Sequence, residues 1–247
     1  MEELLKLNKH ECKTIRSGLM EIASCAERLE LALEDANVYE EMGTTARIVS
    51  SCYKILSAVI NIEEMAKLDD YRAVPFCLSD LVEDVVSVCR STLRRKGIEI
   101  VSEIDRDVCV EADPDRFTSC LMNLIVNALR NVDQDEGVVK VRISRLNGSA
   151  SVTVSDNGYG ADIDEIMEYM NDENSSSGLA VVGKFCREAG TNIIVDDNAD
   201  GGLIFSFRLP LATRDEETLN SRKSFIQNKS FSPIRVYLAK IDDVSDD

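Results

Sequence analysis

Apolar positions in the first part of the chain recur at alternating steps of three and four residues. Leu5, Cys12, Ile15, Leu19, Ile22, Ala26, Leu29 and Leu33, with Asn8 in register, form one heptad stripe that predicts a helix over about residues 3 to 36. After a turn region near residues 37 to 45 the pattern resumes with Ile48, Cys52, Ile55, Val59, Ile62 and Ala66. Leu56 and Ile60 widen the apolar face of this second helix. Two helices of this length cannot bury both stripes against each other alone. Pairing with a second copy into a dimeric four-helix bundle is the economical solution, the alternative being a hairpin packed on its own C-terminal domain.

Beyond residue 79 the periodicity switches between helix and strand. Ser79 can cap a helix from Asp80 to about Arg95 with Leu81, Val85, Val88 and Leu93 inward; Gly97 ends it and IEIVSEI begins a sheet. A second helix begins at Asp113 as N-cap with Pro114 at the first helical position, and buries Leu121, Leu124, Ile125, Ala128 and Leu129. VKVRISRL and SVTVSD alternate as a hairpin across Asn147-Gly148. A helix follows Gly178 and stops at Gly190, and NIIVD and GLIFSFRL complete a mixed sheet covered by helices on one face.

The expected fold is therefore α+β, an N-terminal antiparallel helical hairpin followed by a two-layer α/β sandwich. The expected division is a hairpin domain at 1–70, a linker with Pro75 at 71–78, the sandwich at 79–212 and an extension at 213–247. In the extension the first half is charged and featureless, while SPIRVYLAKI alternates like an edge strand, so partial order and a disordered acidic tail are both open.

Composition narrows the function classes. Apolar residues make up 44% and charged residues 30%, which suits a folded soluble chain. Lys plus Arg at 28 against Asp plus Glu at 45 gives 28 − 45 = −17, which disfavours binding to nucleic acid. Eight cysteines are scattered without a CxxC pair and there is one histidine, which argues against a zinc site and for reduced thiols in a cytoplasmic setting. No apolar run approaches the roughly 18 residues that span a bilayer, and the N-terminus has no signal-peptide pattern, so membrane insertion by this chain is not expected.

Three segments suggest one nucleotide pocket. Asn123 and Asn127 are one turn apart on a helix beside its apolar stripe. Asp156, Gly158 and Gly160 form an Asp-x-Gly-x-Gly turn leaving a strand, where glycine lets the backbone approach a flat ligand and a buried Asp accepts from an exocyclic amine. A serine-rich loop then leads to Gly178 and a helix whose free N–H groups favour phosphate. Each has an ordinary explanation alone: a solvated helix edge, a polar turn, a helix start. Their order and spacing carry the suggestion.

These residues resemble the ATP-binding domain of sensor histidine kinases, within the GHKL ATPase superfamily. The N box reads Asn123, Leu124, Asn127, Ala128; the G1 box reads Asp156, Gly158, Gly160; the final strand motif reads Gly201, Gly202, Phe205, Phe207, Leu209, Pro210. Upstream, His10-Glu11-Cys12-Lys13-Thr14-Ile15 resembles the family's H box, and His10 is the sole histidine.

The resemblance implies that ATP and Mg²⁺ are bound. Asn127 would help hold Mg²⁺, Asn123 and Arg130 would lie along the phosphates, Asp156 would recognise adenine, and Gly178 and Leu179 would belong to the G2 box. It implies that His10 takes the γ-phosphate and passes it to an aspartate of a response-regulator receiver domain. Glu11 would fix the imidazole tautomer, and Thr14 would orient water in a phosphatase reaction on that regulator.

Three positions and one segment depart from the pattern. Ser176 replaces the first G2 glycine, the lid between the G boxes (about 161–177) is short, Asn131 stands where relatives carry an aromatic residue, and Ile15 replaces a proline. Two alternatives remain beside the dimeric kinase: a histidine phosphotransfer protein with a degenerate ATP-binding domain, and a non-enzymatic dimeric scaffold. Met1 lies nine residues before His10, so input is expected from a missing N-terminal region, a separate sensor or regulatory partner, or the tail.

Overall fold

A computed structural model describes residues 9–36, 38–66, 71–93, 97–133, 135–212 and 233–238; the side chains at 9, 10, 39–42 and 233–235 lie outside that set. Two long helices come first, α1 (Lys9–Asp35) and α2 (Tyr39–Ala66). α1 runs through Ile15 without a break, as expected where no proline removes a backbone donor. Their direction follows from two cross-links: the Arg16 guanidinium donates to Glu63 at 3.1 Å and the Tyr53 hydroxyl donates to Glu27 at 2.7 Å, so the helices are antiparallel. Cys12, Ala23 and Ala26 of α1 pack towards Cys52, Leu56 and Val59 of α2 in the hairpin seam. Ile15, Ile22 and Leu29, seven residues apart, stay exposed, as do Ile48 and Ile55.

The stretch expected as a linker contains strand β1 (Val74–Cys77), which pairs antiparallel with β3 (Cys109–Ala112), placing Cys77 opposite Cys109. Helix α3 (Leu78–Leu93) follows at once. Ser79 is buried inside it and does not act as the expected cap; its hydroxyl donates to the Asp105 carbonyl at 2.7 Å and accepts from Val108 N–H at 3.0 Å.

The main sheet joins β2 (Glu99–Ile104), β4 (Val138–Leu146), β5 (Ser149–Asp156), β6 (Ile194–Asp197) and β7 (Leu203–Pro210) in the order β2-β4-β5-β7-β6. β2 and β4 are parallel and the other pairs antiparallel. The predicted hairpin closes with Leu146 opposite Ser149.

Helices α4 (Pro114–Asn131) and α6 (Gly178–Glu188) pack with α3 over the sheet, and α5 (Ile163–Asn171) lies against α6. Phe76, Phe117, Phe185 and Phe207, drawn from β1, α4, α6 and β7, stack edge-on or tilted at centroid separations of 5.8–6.4 Å. Arg116, itself buried, ion-pairs with Glu188 and so ties α4 to α6. Seven of the eight cysteines are buried and Cys25 is exposed. Burial pushes the thiols of Cys89 and Cys186 up to about 12, so they behave as small hydrophobes.

The tail departs from its expected strand. Pro233–Leu238 is a helix, α7, with Val236, Tyr237 and Leu238 buried against α2, α3 and α4. Three consecutive buried side chains need a groove walled on several sides, which a one-faced edge strand does not supply. No described helix is long and apolar enough to cross a membrane.

Candidate nucleotide site

The site is built where the carboxyl end of α4, the end of β5 and the start of α6 meet. Asp113 starts α4: its Oδ1 accepts from the N–H groups of Asp115 and Arg116, both at 3.1 Å, and its Oδ2 accepts from Arg72 N–H at 3.2 Å. The helix thus begins at a fixed register and carries Asn123 and Asn127 on one side. Asn127 is half-buried, and its side-chain amide makes no hydrogen bond among the described residues. Arg130 is exposed in the last turn. Asn131 donates from its side chain to the Asn127 carbonyl at 2.7 Å.

β5 ends at Asp156, which is 3% exposed. Its Oδ1 accepts from Gly158 N–H at 2.9 Å, and Leu203 N–H also points to the carboxylate. Desolvation nevertheless raises its pKa above the ordinary value, the two N–H groups pulling the other way. Two glycines make this packing sterically feasible. A Cβ at Gly158 would collide with the Asn131 carbonyl, and one at Gly202, where φ is +72°, would collide with the Asp156 carboxylate.

The turn is further tied down by two asparagines that sequence patterning did not single out. Asn157 accepts from Val138 N–H at 2.7 Å, and Asn198 donates to the Asp156 carbonyl at 2.7 Å. Tyr159 N–H donates to the Asn131 carbonyl at 3.0 Å, joining the turn to the end of α4, while its ring is 81% exposed. Gly160 follows with φ +71°.

Ser177 caps α6, its Oγ accepting from Ala180 N–H at 3.1 Å, and its own N–H goes to Ser175 Oγ. The N–H groups of Gly178 and Leu179 fall in the first turn, where a helix offers no internal acceptor. A Cβ at Gly178 would lie 2.5 Å from Asn123 Oδ1, so glycine lets this helix start sit directly against the N-box asparagine. Leu179 packs on the core.

The structure therefore brings Asn127, Asp156, Gly158, Gly160, Gly178 and Leu179 to one edge of the sheet, with Arg130 at its rim. Asn123 lies against Gly178 through its Oδ1, but its Nδ2 is taken up inside the protein. It is 5% exposed and exchanges hydrogen bonds with Asn61 of α2, at 3.4 Å and 3.3 Å, besides donating to the Ser119 carbonyl at 2.9 Å. Glu11 and Thr14 are exposed on α1; the side chain of His10 lies outside the described residues, though its backbone is helical. The lid stretch is not bare loop: Asp162 caps α5 by accepting from the N–H groups of Asp164 and Glu165. Asn127 suits a hard divalent cation, since an amide oxygen is a competent ligand for Mg²⁺, which keeps most of its shell as water and phosphate oxygen.

The site thus sets a buried carboxylate at the end of β5 across from an asparagine-bearing helix. Residues 112–213 match the family model of histidine kinase-, DNA gyrase B- and HSP90-like ATPases. Most of the chain is similar to sensor histidine kinases. It is 26% identical to sensor protein GacS of Pseudomonas syringae pv. syringae, over 88% of this chain and 26% of that one. It is 24% identical to sensor histidine kinase ZraS of Klebsiella oxytoca, over 80% and 44%. The chain thus spans between a quarter and a half of these curated relatives.

Among solved structures it shares the fold of full-length ShkA in complex with AMPPNP (TM-score 0.58, 22% identity, 79% of this chain and 46% of that one). It shares it also with ThkA in complex with the response regulator TrrA (TM-score 0.59, 21% identity, 85% and 64%). The α+β fold is that of histidine kinase catalytic cores.

Proposed function

We propose that the chain is the catalytic core of a two-component histidine kinase, with residues 1–70 as the dimerisation and phosphoacceptor hairpin, 71–78 as the linker and 79–212 as the ATP-binding domain. The observation that carries this reading is the convergence of Asn127, Asp156 and the open α6 helix start in the segment that matches the ATPase family model. Asp156 accepts from the adenine amine, the Gly178 and Leu179 N–H groups and Arg130 meet phosphate, and Asn127 contributes to the Mg²⁺ shell. The metal, when bound, neutralises charge on the transferring phosphoryl group.

The imidazole of His10 attacks the γ-phosphorus as the bond to the bridging oxygen breaks and ADP leaves. Glu11 holds the other ring nitrogen's proton, and Thr14, one turn on, orients water when the regulator is dephosphorylated. The product, a phosphoimidazole, passes its phosphoryl group to a receiver-domain aspartate. Several features support the wider setting. The exposed heptad of Ile15, Ile22 and Leu29 suits a second copy, and the buried free thiols suit a reducing cytoplasm.

The test is incubation of the chain and its His10→Gln variant with γ-labelled ATP and Mg²⁺. Acid-labile, base-stable label on the wild type alone is the expected result. No label on either protein, with a phosphorylated regulator still able to charge His10, would replace the kinase by a phosphotransfer protein.

A further inference from the structure

The tail helix α7 lies against the helix that bears the N box, together with the hairpin helix α2. Tyr237, 1% exposed, donates its hydroxyl to Asn61 Oδ1 at 3.3 Å and also lies in hydrogen-bonding reach of Ser119 and Asn123. Burial pushes this phenol well above its ordinary pKa, so the hydroxyl keeps its proton and remains a donor. Asn61 in turn faces Asn123 in a reciprocal amide pair, Nδ2 to Oδ1 in each direction. With Ser119 accepting as well, both amide donors and the carbonyl of Asn123 face partners inside the protein.

A second tie lies one helix away. Lys184 of α6 donates to the carbonyls of Glu64 and Met65 at 2.8 Å and 2.9 Å, holding the last turn of α2 on the domain. The place so covered adjoins Gly178, the start of the helix with free N–H groups.

We propose that α7 is a pin that holds α2 on the nucleotide domain and keeps the amide N–H groups of Asn123 from phosphate, so that undocking of α7 is a step in activating the site. This rests on the ATP reading above and adds a regulatory state to it. In the pinned state Asn123 Oδ1 sits against Gly178 while its Nδ2 donates to Asn61 and to the Ser119 carbonyl. In the unpinned state α2 withdraws, the Asn123 N–H released by Asn61 can meet the phosphates beside Gly178, and the hairpin is freed to present its histidine. A ligand or partner that captures the tail would shift this equilibrium by its preference for the undocked form.

The experiment uses the full chain as wild type, Tyr237→Phe and Asn61→Ala, with affinity for Mg²⁺–AMPPNP by calorimetry and amide hydrogen exchange over residues 57–66 and 233–238. Tyr237→Phe removes the hydroxyl, and with it the donation to Asn61, and keeps the ring. The expected result is affinity raised about fivefold, the equivalent of one hydrogen bond, with faster exchange in both segments. Asn61→Ala, which frees Asn123 directly, should raise affinity at least as much even if α7 stays packed. Equal affinity in all three proteins, with wild-type binding intact, overturns the pin while leaving the ATP reading standing. Binding by none of the three overturns the ATP reading and the pin with it. Weaker binding in both variants with slower or unchanged exchange also overturns the pin, because Asn61 and Tyr237 then support the site instead of withholding it.

Discussion

Asp156 is an acid held where an acid is costly, since it is almost fully buried and two backbone N–H groups, of Gly158 and Leu203, offset part of the lost hydration. Its folded pKa is raised, so the stability it contributes is fully present below the ordinary aspartate value, about 3.9, and is lost as pH rises through the raised one. Asp156→Asn cannot titrate. Its melting temperature should therefore gain on the wild type as pH rises from about 4 towards 7, while its affinity for ADP falls by about tenfold through the loss of a charge-assisted acceptor. Calorimetry of both proteins across that range checks each half. A melting difference that does not move with pH would remove Asp156 as the titrating group. The residue itself was legible in sequence as an acid before two glycines. Its need for Gly202, some forty-six positions on, was not, because only the folded sheet brings β7 beside the end of β5.

Helix α4 announces itself locally, since a capping aspartate, a proline at the first position and a spaced apolar face are all short-range signals. Asp113 also holds the chain entering β1 through Arg72, so its loss is felt twice. Asp113→Ala should cost about 1 to 2 kcal/mol in urea denaturation, and Asp113→Asn much less, because an asparagine still accepts at the cap. Equal losses for the two would mean the charge, through its 3.8 Å contact with Arg116, matters more than the cap. Other elements were not legible. Val74–Cys77 reads as linker because four residues carry too little pattern to call for a strand until β3 lies opposite them. The α5 helix sits in a stretch read as a short lid. The α7 segment alternates Ile234, Val236 and Leu238 as an edge strand does, and its helical state follows from the groove that accepts Val236, Tyr237 and Leu238 together.

For the whole molecule, the hairpin leaves its outer heptad uncovered among the described residues. On the proposed dimer, Ile22→Glu with Leu29→Glu should convert a dimer to a monomer by sedimentation while leaving ADP affinity unchanged, the site lying on other helices. A wild type that sediments as a monomer at micromolar concentration would overturn the four-helix bundle. Periodicity and short-range signals were enough for the succession of helices and strands, the tight hairpin at Asn147-Gly148 and the nucleotide motifs, because these depend on neighbours a few residues apart. The docking of α2 on α4 through Asn61 and Asn123, and the burial of Tyr237 between them, join positions separated by 62 and 176 residues. An asparagine in an amphipathic helix and a tyrosine in a tail carry no mark of such a partner. Only the close packing of helices from three parts of the chain leaves their polar groups no water to turn to and decides which ones they must meet.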